Sequence, residues 1–71
     1  MARVKEYRIV LSAPGRAGEL VVGATSIGHR HAIDECDRIA RRTPAGHVLR
    51  VVTDAGVELY ARQGGDPKTF A

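Results

Sequence analysis

The grouping in this chain that most resembles a ligand set is His29-Arg30-His31 with Cys36 further on. His29 and Cys36 stand seven residues apart and can share a helix face, whereas His31 is rotated by about 200° from His29. A zinc site needs three or four converging thiolates, imidazoles or carboxylates, at spacings this sequence does not have. Two exposed histidines at a helix start and one buried thiol are therefore expected, with no metal and no other cofactor. A histidine acting as general base needs a nucleophile or carboxylate set beside it, and no spacing here supplies one. Cys36 falls on the apolar stripe of its helix, where a small hydrophobe belongs. A nucleophilic thiol would want an exposed, electropositive setting. Ser12-Ala13-Pro14-Gly15-Arg16-Ala17-Gly18 carries two glycines and an arginine, yet it joins strand to strand. A phosphate cradle needs a helix N-terminus after it, so this segment reads as a hairpin tip. No acid–base or nucleophile set converges, and the chain is expected not to be an enzyme.

Recognition chemistry gathers instead on the stretch from Val48 to Arg62. Asp54-Ala55-Gly56 reads as a three-residue turn with Gly56 in the left-handed region. Thr53 then opposes Val57, Val51 opposes Leu59 and Leu49 opposes Ala61, making an apolar face. The other face pairs Arg50 with Tyr60, Val52 with Glu58 and Val48 with Arg62. Tyrosine flanked by arginine is enriched at the centres of interfaces. The same residues could contact phosphates and stack on bases.

The elements that position these residues are legible from periodicity. Lys5 to Ser12 alternates, with Tyr7, Ile9 and Leu11 on one side and Glu6, Arg8 and Val10 on the other. Glu19 to Thr25 reads as a second strand facing inward through Leu20, Val22 and Ala24. From about Gly28 to Arg42 the period changes, and Ala32, Ile33, Cys36, Ile39, Ala40 and Thr43 form one helical stripe. Its opposite face offers Arg30–Asp34, Asp34–Arg38 and Asp37–Arg41 pairs, which contribute only about 0.2–0.5 kcal/mol each. Thr43-Pro44 ends the helix, because a residue before proline is steered away from helical angles. The expected fold is α+β: a two-layer ββαββ unit with a four-stranded, mostly antiparallel sheet and one helix packed on one face. Tyr7, Ile9, Leu11, Leu20, Val22, Ile33, Cys36, Ala40, Leu49, Val51, Val57 and Leu59 are the expected buried layer.

Seventy-one residues make one domain, 1–71, with a loosely held tail from about residue 64. A domain this short buries only roughly 60% of its unfolded surface. One cysteine excludes an internal disulfide, which leaves self-association as the usual further support. Net charge is +3, from nine arginines and two lysines against eight acidic residues, too diffuse for a dedicated basic stripe. No apolar run approaches the roughly 20 residues needed to cross a bilayer, and no secretory leader is visible. With a free thiol, the expected setting is cytoplasmic.

From Ala32 onward the chain resembles the bacterial domain-of-unknown-function family numbered twenty-one eighty-eight. The matching pieces are Ala32-Ile33, Ile39-Ala40-Arg41, Val51-Val52-Thr53-Asp54-Ala55-Gly56 and Gly65-Asp66-Pro67. The resemblance implies a small strand-strand-helix-strand-strand unit and no activity.

A single helix covers one sheet face only, so the uncovered face is the expected contact surface. Arg8, Val10, Arg50, Val52, Tyr60 and Arg62 are its expected partner-binding residues. The functional expectation is a small non-enzymatic interaction module that self-associates or binds a protein partner. The alternative is a nucleic-acid binder using the arginines of that face, with Arg16 in support. Neither a membrane nor a small-molecule substrate is expected.

Overall fold

The structure, a computed structural model, describes residues 6–65. Five elements follow in the expected order: β1 (Tyr7–Ser12), β2 (Leu20–Thr25), α1 (His29–Arg41), β3 (Val48–Thr53) and β4 (Glu58–Gln63). The strands form one antiparallel sheet in the order β2-β1-β3-β4, so the two hairpins join through β1 and β3. α1 packs on one face against all four strands, giving the ββαββ sandwich.

Small side chains let the helix sit close. Ala32, Cys36 and Ala40, four residues apart, are fully buried against Ile9, Leu49 and Val51. Ile33 and Ile39 flank that stripe, and Tyr7, Leu11, Val22 and Tyr60 close it from the sheet. The two ends of α1 are held unequally. Gly28 caps the N-terminus with no side-chain hydrogen bond, and the first turn has no acidic residue. At the other end the carbonyls are well supplied: Ile39 O accepts from Arg42 N at 3.0 Å and Thr43 Oγ1 at 2.7 Å, and Ala40 O from Thr43 N at 3.1 Å and Gly65 N at 3.0 Å. The expected helix pairs do not form within bonding range. Arg38 meets Glu35 at 3.3 Å instead, and Asp37 turns toward β4.

Two bulges overturn part of the expected register. The β3–β4 turn is as expected: Gly56 has φ +84°, and Thr53 N donates to Val57 O at 2.9 Å. Val52 also faces Glu58 as expected. Leu59 is then an extra residue, so Val51 faces Tyr60, Arg50 faces Ala61, Leu49 faces Arg62 and Val48 faces Gln63. An inserted residue flips every later side chain to the other face. Tyr60 and Arg62 therefore lie on the helix side rather than the open side. On β2 the extra residue is Val22, between the Val10–Val21 and Ile9–Gly23 pairs. Gly23 leaves room for isoleucines, since a Cβ there would lie 3.3 Å from Ile9 Cδ1 and 3.7 Å from Ile39 Cδ1. Ala24, expected inward, pairs with Arg8 on the open face.

Three expected core residues stay exposed: Leu20 at 63%, Val57 at 54% and Leu59 at 43%. Leu20 starts an edge strand, Val57 follows the turn, and Leu59 sits at the bulge. Gly64 and Gly65, at the start of the expected tail, are tied down: Gly64 N donates to His47 O at 2.8 Å, and Gly65 N reaches α1 as above. Residues 66–71 lie outside the described residues.

Gly64 has no space for a side chain, because a Cβ would approach Pro44 O to 2.7 Å and Thr43 Cγ2 to 2.8 Å. Gly64→Ala is expected to cost about 1–3 kcal/mol. Urea titration should show a lower midpoint with an unchanged slope.

Candidate interaction surface

The face of the sheet away from α1 is built mainly by β1 and β3, whose pairing carries no bulge. Arg8 pairs with Val52, Val10 with Arg50 and Ser12 with Val48. Outward from these, β2 adds Ala24 and Val21, while β4 adds Glu58, Ala61 and Gln63. The result is an apolar floor of Val10, Val21, Val48, Val52, Ala24 and Ala61, interrupted by charge. Among the described residues no element covers it. Val10 is nonetheless only 8% exposed, shielded within the face by its neighbours on three strands.

The charges on this face are paired with each other. Arg50 forms an ion pair with Glu19, lies 3.6 Å from Glu58 and donates to Ser12 Oγ at 3.3 Å. Ser12 Oγ in turn lies 3.4 Å from Glu19. Arg50 Nε is shut away from solvent without an acceptor, so its fork is incompletely satisfied. Arg8 Nε meets Glu6 at 3.1 Å. Two guanidinium groups thus stand among three carboxylates, and the local field is close to neutral. Exposed pairs of this kind contribute about 0–1 kcal/mol each, so they can exchange partners.

Tyr60 and Arg62 belong to a different constellation. The Tyr60 hydroxyl donates to Asp37 Oδ1 at 2.7 Å, and Arg62 Nη1 meets the same oxygen at 2.6 Å. Burial pushes the Asp37 carboxyl up, but hydrogen bonds from Tyr60 and Arg62 and the charges of Arg62 and Arg41 outweigh it and hold the group below 3.8. The bond to Asp37, then burial and the Asp37 charge, raise Tyr60 above 10.0. The adjoining Cys36 thiol is pushed up to about 11, by burial first and by the Asp37 charge second.

Four of the six expected contact residues, Arg8, Val10, Arg50 and Val52, are therefore together on the open face. The other two are bound to α1. Glu19, Ser12 and Asp37 were not expected at these sites. Asp37 is expected on the outer face, paired with Arg41, yet it stands only about 100° from Cys36 around the helix, which lets it reach β4. Glu19 and Ser12 left no signal, since Glu19 meets Arg50 only through the fold. His29 lines an open groove of about 380 Å³ with Tyr7, Ile33, Thr53 and Leu59. Cys36 is buried, and among the described residues no three metal-ligating side chains converge. Arg16 sits at the β1–β2 tip beside Leu11 and Leu20.

No protein family, curated protein or solved structure matches this chain. Among the described residues no helix is long and apolar enough to cross a membrane.

Two measurements test the helix side. Asp37 has a lowered value, so its contribution is present above 3.8 and is lost as pH falls through the lower folded value. Tyr60 has a raised value, so its contribution is present below 10.0 and is lost as pH rises through the higher folded value. Asp37→Asn is expected to cost about 1–3 kcal/mol at neutral pH. In denaturant melts the gap to the unsubstituted protein should narrow below pH 3.8. Alkylation of Cys36 should be slow near neutral pH, where little thiolate exists, and should accelerate on unfolding in urea.

Proposed function

We propose that this protein is a non-enzymatic interaction module that pairs with a second copy of itself through the open sheet face. Arg8, Val10, Arg50 and Val52 form the contact, and Tyr60 and Arg62 act behind it by holding β4 to α1. The observation that carries this reading is an apolar floor bearing charges of both signs, which no element covers among the described residues. A twofold contact sets a patch against its own copy, so the patch must complement itself. Arg8 and Arg50 with Glu6, Glu19 and Glu58 meet that condition, since each guanidinium can trade a carboxylate of its own chain for one across the axis.

Size sets the strength. Four strands spaced about 4.8 Å apart and six residues of about 3.3 Å give a face of roughly 19 by 20 Å, or ~380 Å². That is about half the ~800 Å² per partner of a standard interface, so association is weak and concentration-dependent. Nucleic-acid binding by this face has less support, because its arginines already stand among carboxylates. A cytoplasmic setting accords with the free thiol of Cys36. Kinship with the family of the sequence resemblance is also a proposal, and it brings no activity.

Sedimentation velocity from about 10 μM to about 1 mM spans the affinities of contacts this small. The sedimentation coefficient should rise with concentration. Val52→Asp should abolish the rise while the circular dichroism melt stays cooperative, and Arg30→Ala should leave it unchanged. A monomer throughout that range overturns the reading.

A further inference from the structure

The second charged surface lies on the opposite side of the molecule, and we propose that the outward stripe of α1 binds the phosphate backbone of duplex DNA. At 100° per residue, His31, Asp34, Arg38 and Arg41 point away from the buried Ala32, Cys36 and Ala40, with Arg30 and Arg42 on the two flanks of that stripe. The guanidinium groups of Arg30, Arg41 and Arg42 make no ion pair among the described residues, and Arg38 makes one, with Glu35. The arginines carried by the strands, by contrast, are each held by a carboxylate: Arg8 and Arg50 on the open face, and Arg62 beneath α1.

The needs of the helix account for only part of this pattern. Arg38 and Arg41 lie in the last turn, where a cation complements the helix dipole. Arg30 lies in the first turn, where a cation opposes it and no acidic residue compensates. An external anion supplies what the fold does not.

The dimensions suit a duplex. Arg30 and Arg42 are twelve residues apart, about 18 Å along the axis. One strand of B-DNA presents about five phosphates over that length. A helix with its side chains is about 10–12 Å across, and the DNA major groove is about 12 Å wide. Residues 29–42 contain no Phe, Tyr or Trp, and their only rings are the small imidazoles of His29 and His31, so the stripe lacks the large stacking platforms typical of single-strand binders. The major groove of duplex RNA is deep and narrow, so a helix of this width does not lie between its phosphate rows. Asp34 and Glu35 offset two of the four arginines, so binding belongs to the weak, sequence-independent class.

Fluorescence anisotropy with a labelled mixed-sequence DNA duplex at about 50 mM salt tests this in the regime where phosphate contacts are strongest. With three to four phosphates engaged, log K should fall with log salt at a slope of about −2.7 to −3.6. Arg30→Ala should weaken binding about tenfold and flatten the slope by about 0.9. Arg8→Ala should change neither. Circular dichroism melts confirm that each variant folds. The proposal is overturned if no duplex binds, if Arg8→Ala carries the loss, or if the Arg30→Ala slope is unchanged. It is equally overturned if single-stranded DNA, duplex RNA or labelled polyglutamate binds as tightly as duplex DNA. Because α1 and the open face share no residue, failure here leaves sheet-mediated pairing standing, and the reverse holds.

Discussion

A single carboxylate, that of Asp37, ties the outermost strand of the sheet to the helix. Both of its partners, the Tyr60 hydroxyl and the Arg62 guanidinium, come from β4. They can arrive together only because the extra residue Leu59 turns that strand over after Glu58. Without the bulge, Ala61 would face Leu49, and its methyl group would leave the edge of the layer under α1 thinly filled. With it, the tyrosine ring and the arginine stem cover the apolar surface while their polar ends meet at Asp37. Hydrogen bonds to a charged group contribute about 1.5–3 kcal/mol each. Domains of this size have only about 5 kcal/mol of net stability, so this clamp outweighs every exposed ion pair on the other face.

The same strand reversal decides which charges remain for partners. It withdraws Arg62 from the open face and puts Ala61 and Gln63 there. The carboxylates of Glu19 and Glu58 then surround Arg50 alone, and the face becomes nearly neutral. Positive charge is left on the outer stripe of α1, on the far side of a two-layer molecule. The two surfaces share no residue and point in opposite directions. A pair of copies joined sheet to sheet would carry its arginine stripes outward on both sides, so one contact does not block the other.

The sequence makes the element order plain because two periods carry it: alternation from Tyr7 to Leu11 and the three-to-four spacing from Ala32 to Ala40. The open-face positions on β1 and β3 are legible for the same reason, since those strands pair residue by residue without interruption. On β4, Leu59 and Ala61 or Tyr60 and Arg62 could each have formed the inward pair, because tyrosine and arginine have apolar bodies with polar tips. The turn at Gly56 and the Val52–Glu58 pair follow the expected register, and the chain departs from it at Leu59. A one-residue insertion leaves composition and periodicity almost unchanged while exchanging the faces. The pairing of Glu19 with Arg50 was invisible for a different reason, as the two are thirty-one positions apart and meet only in the folded sheet.

The ends of α1 bring stability and binding together. Its C-terminal turn is pinned by Thr43 and Gly65, while its N-terminal turn has only the Gly28 backbone, an open groove beneath Ile33, and Arg30 against the dipole. Local opening is easiest where backbone donors lack partners and packing is thin, which places the weakest part of the helix at His29–His31. A phosphate settling there would pair with Arg30 and with the positive end of the dipole at once. Anything that binds the folded chain in preference to the unfolded one stabilises it by mass action. Arg30, which opposes the dipole of the isolated helix, is thus a residue through which a polyanion would repay it, and binding at this stripe should tighten the first turn of α1 before any other part of the fold.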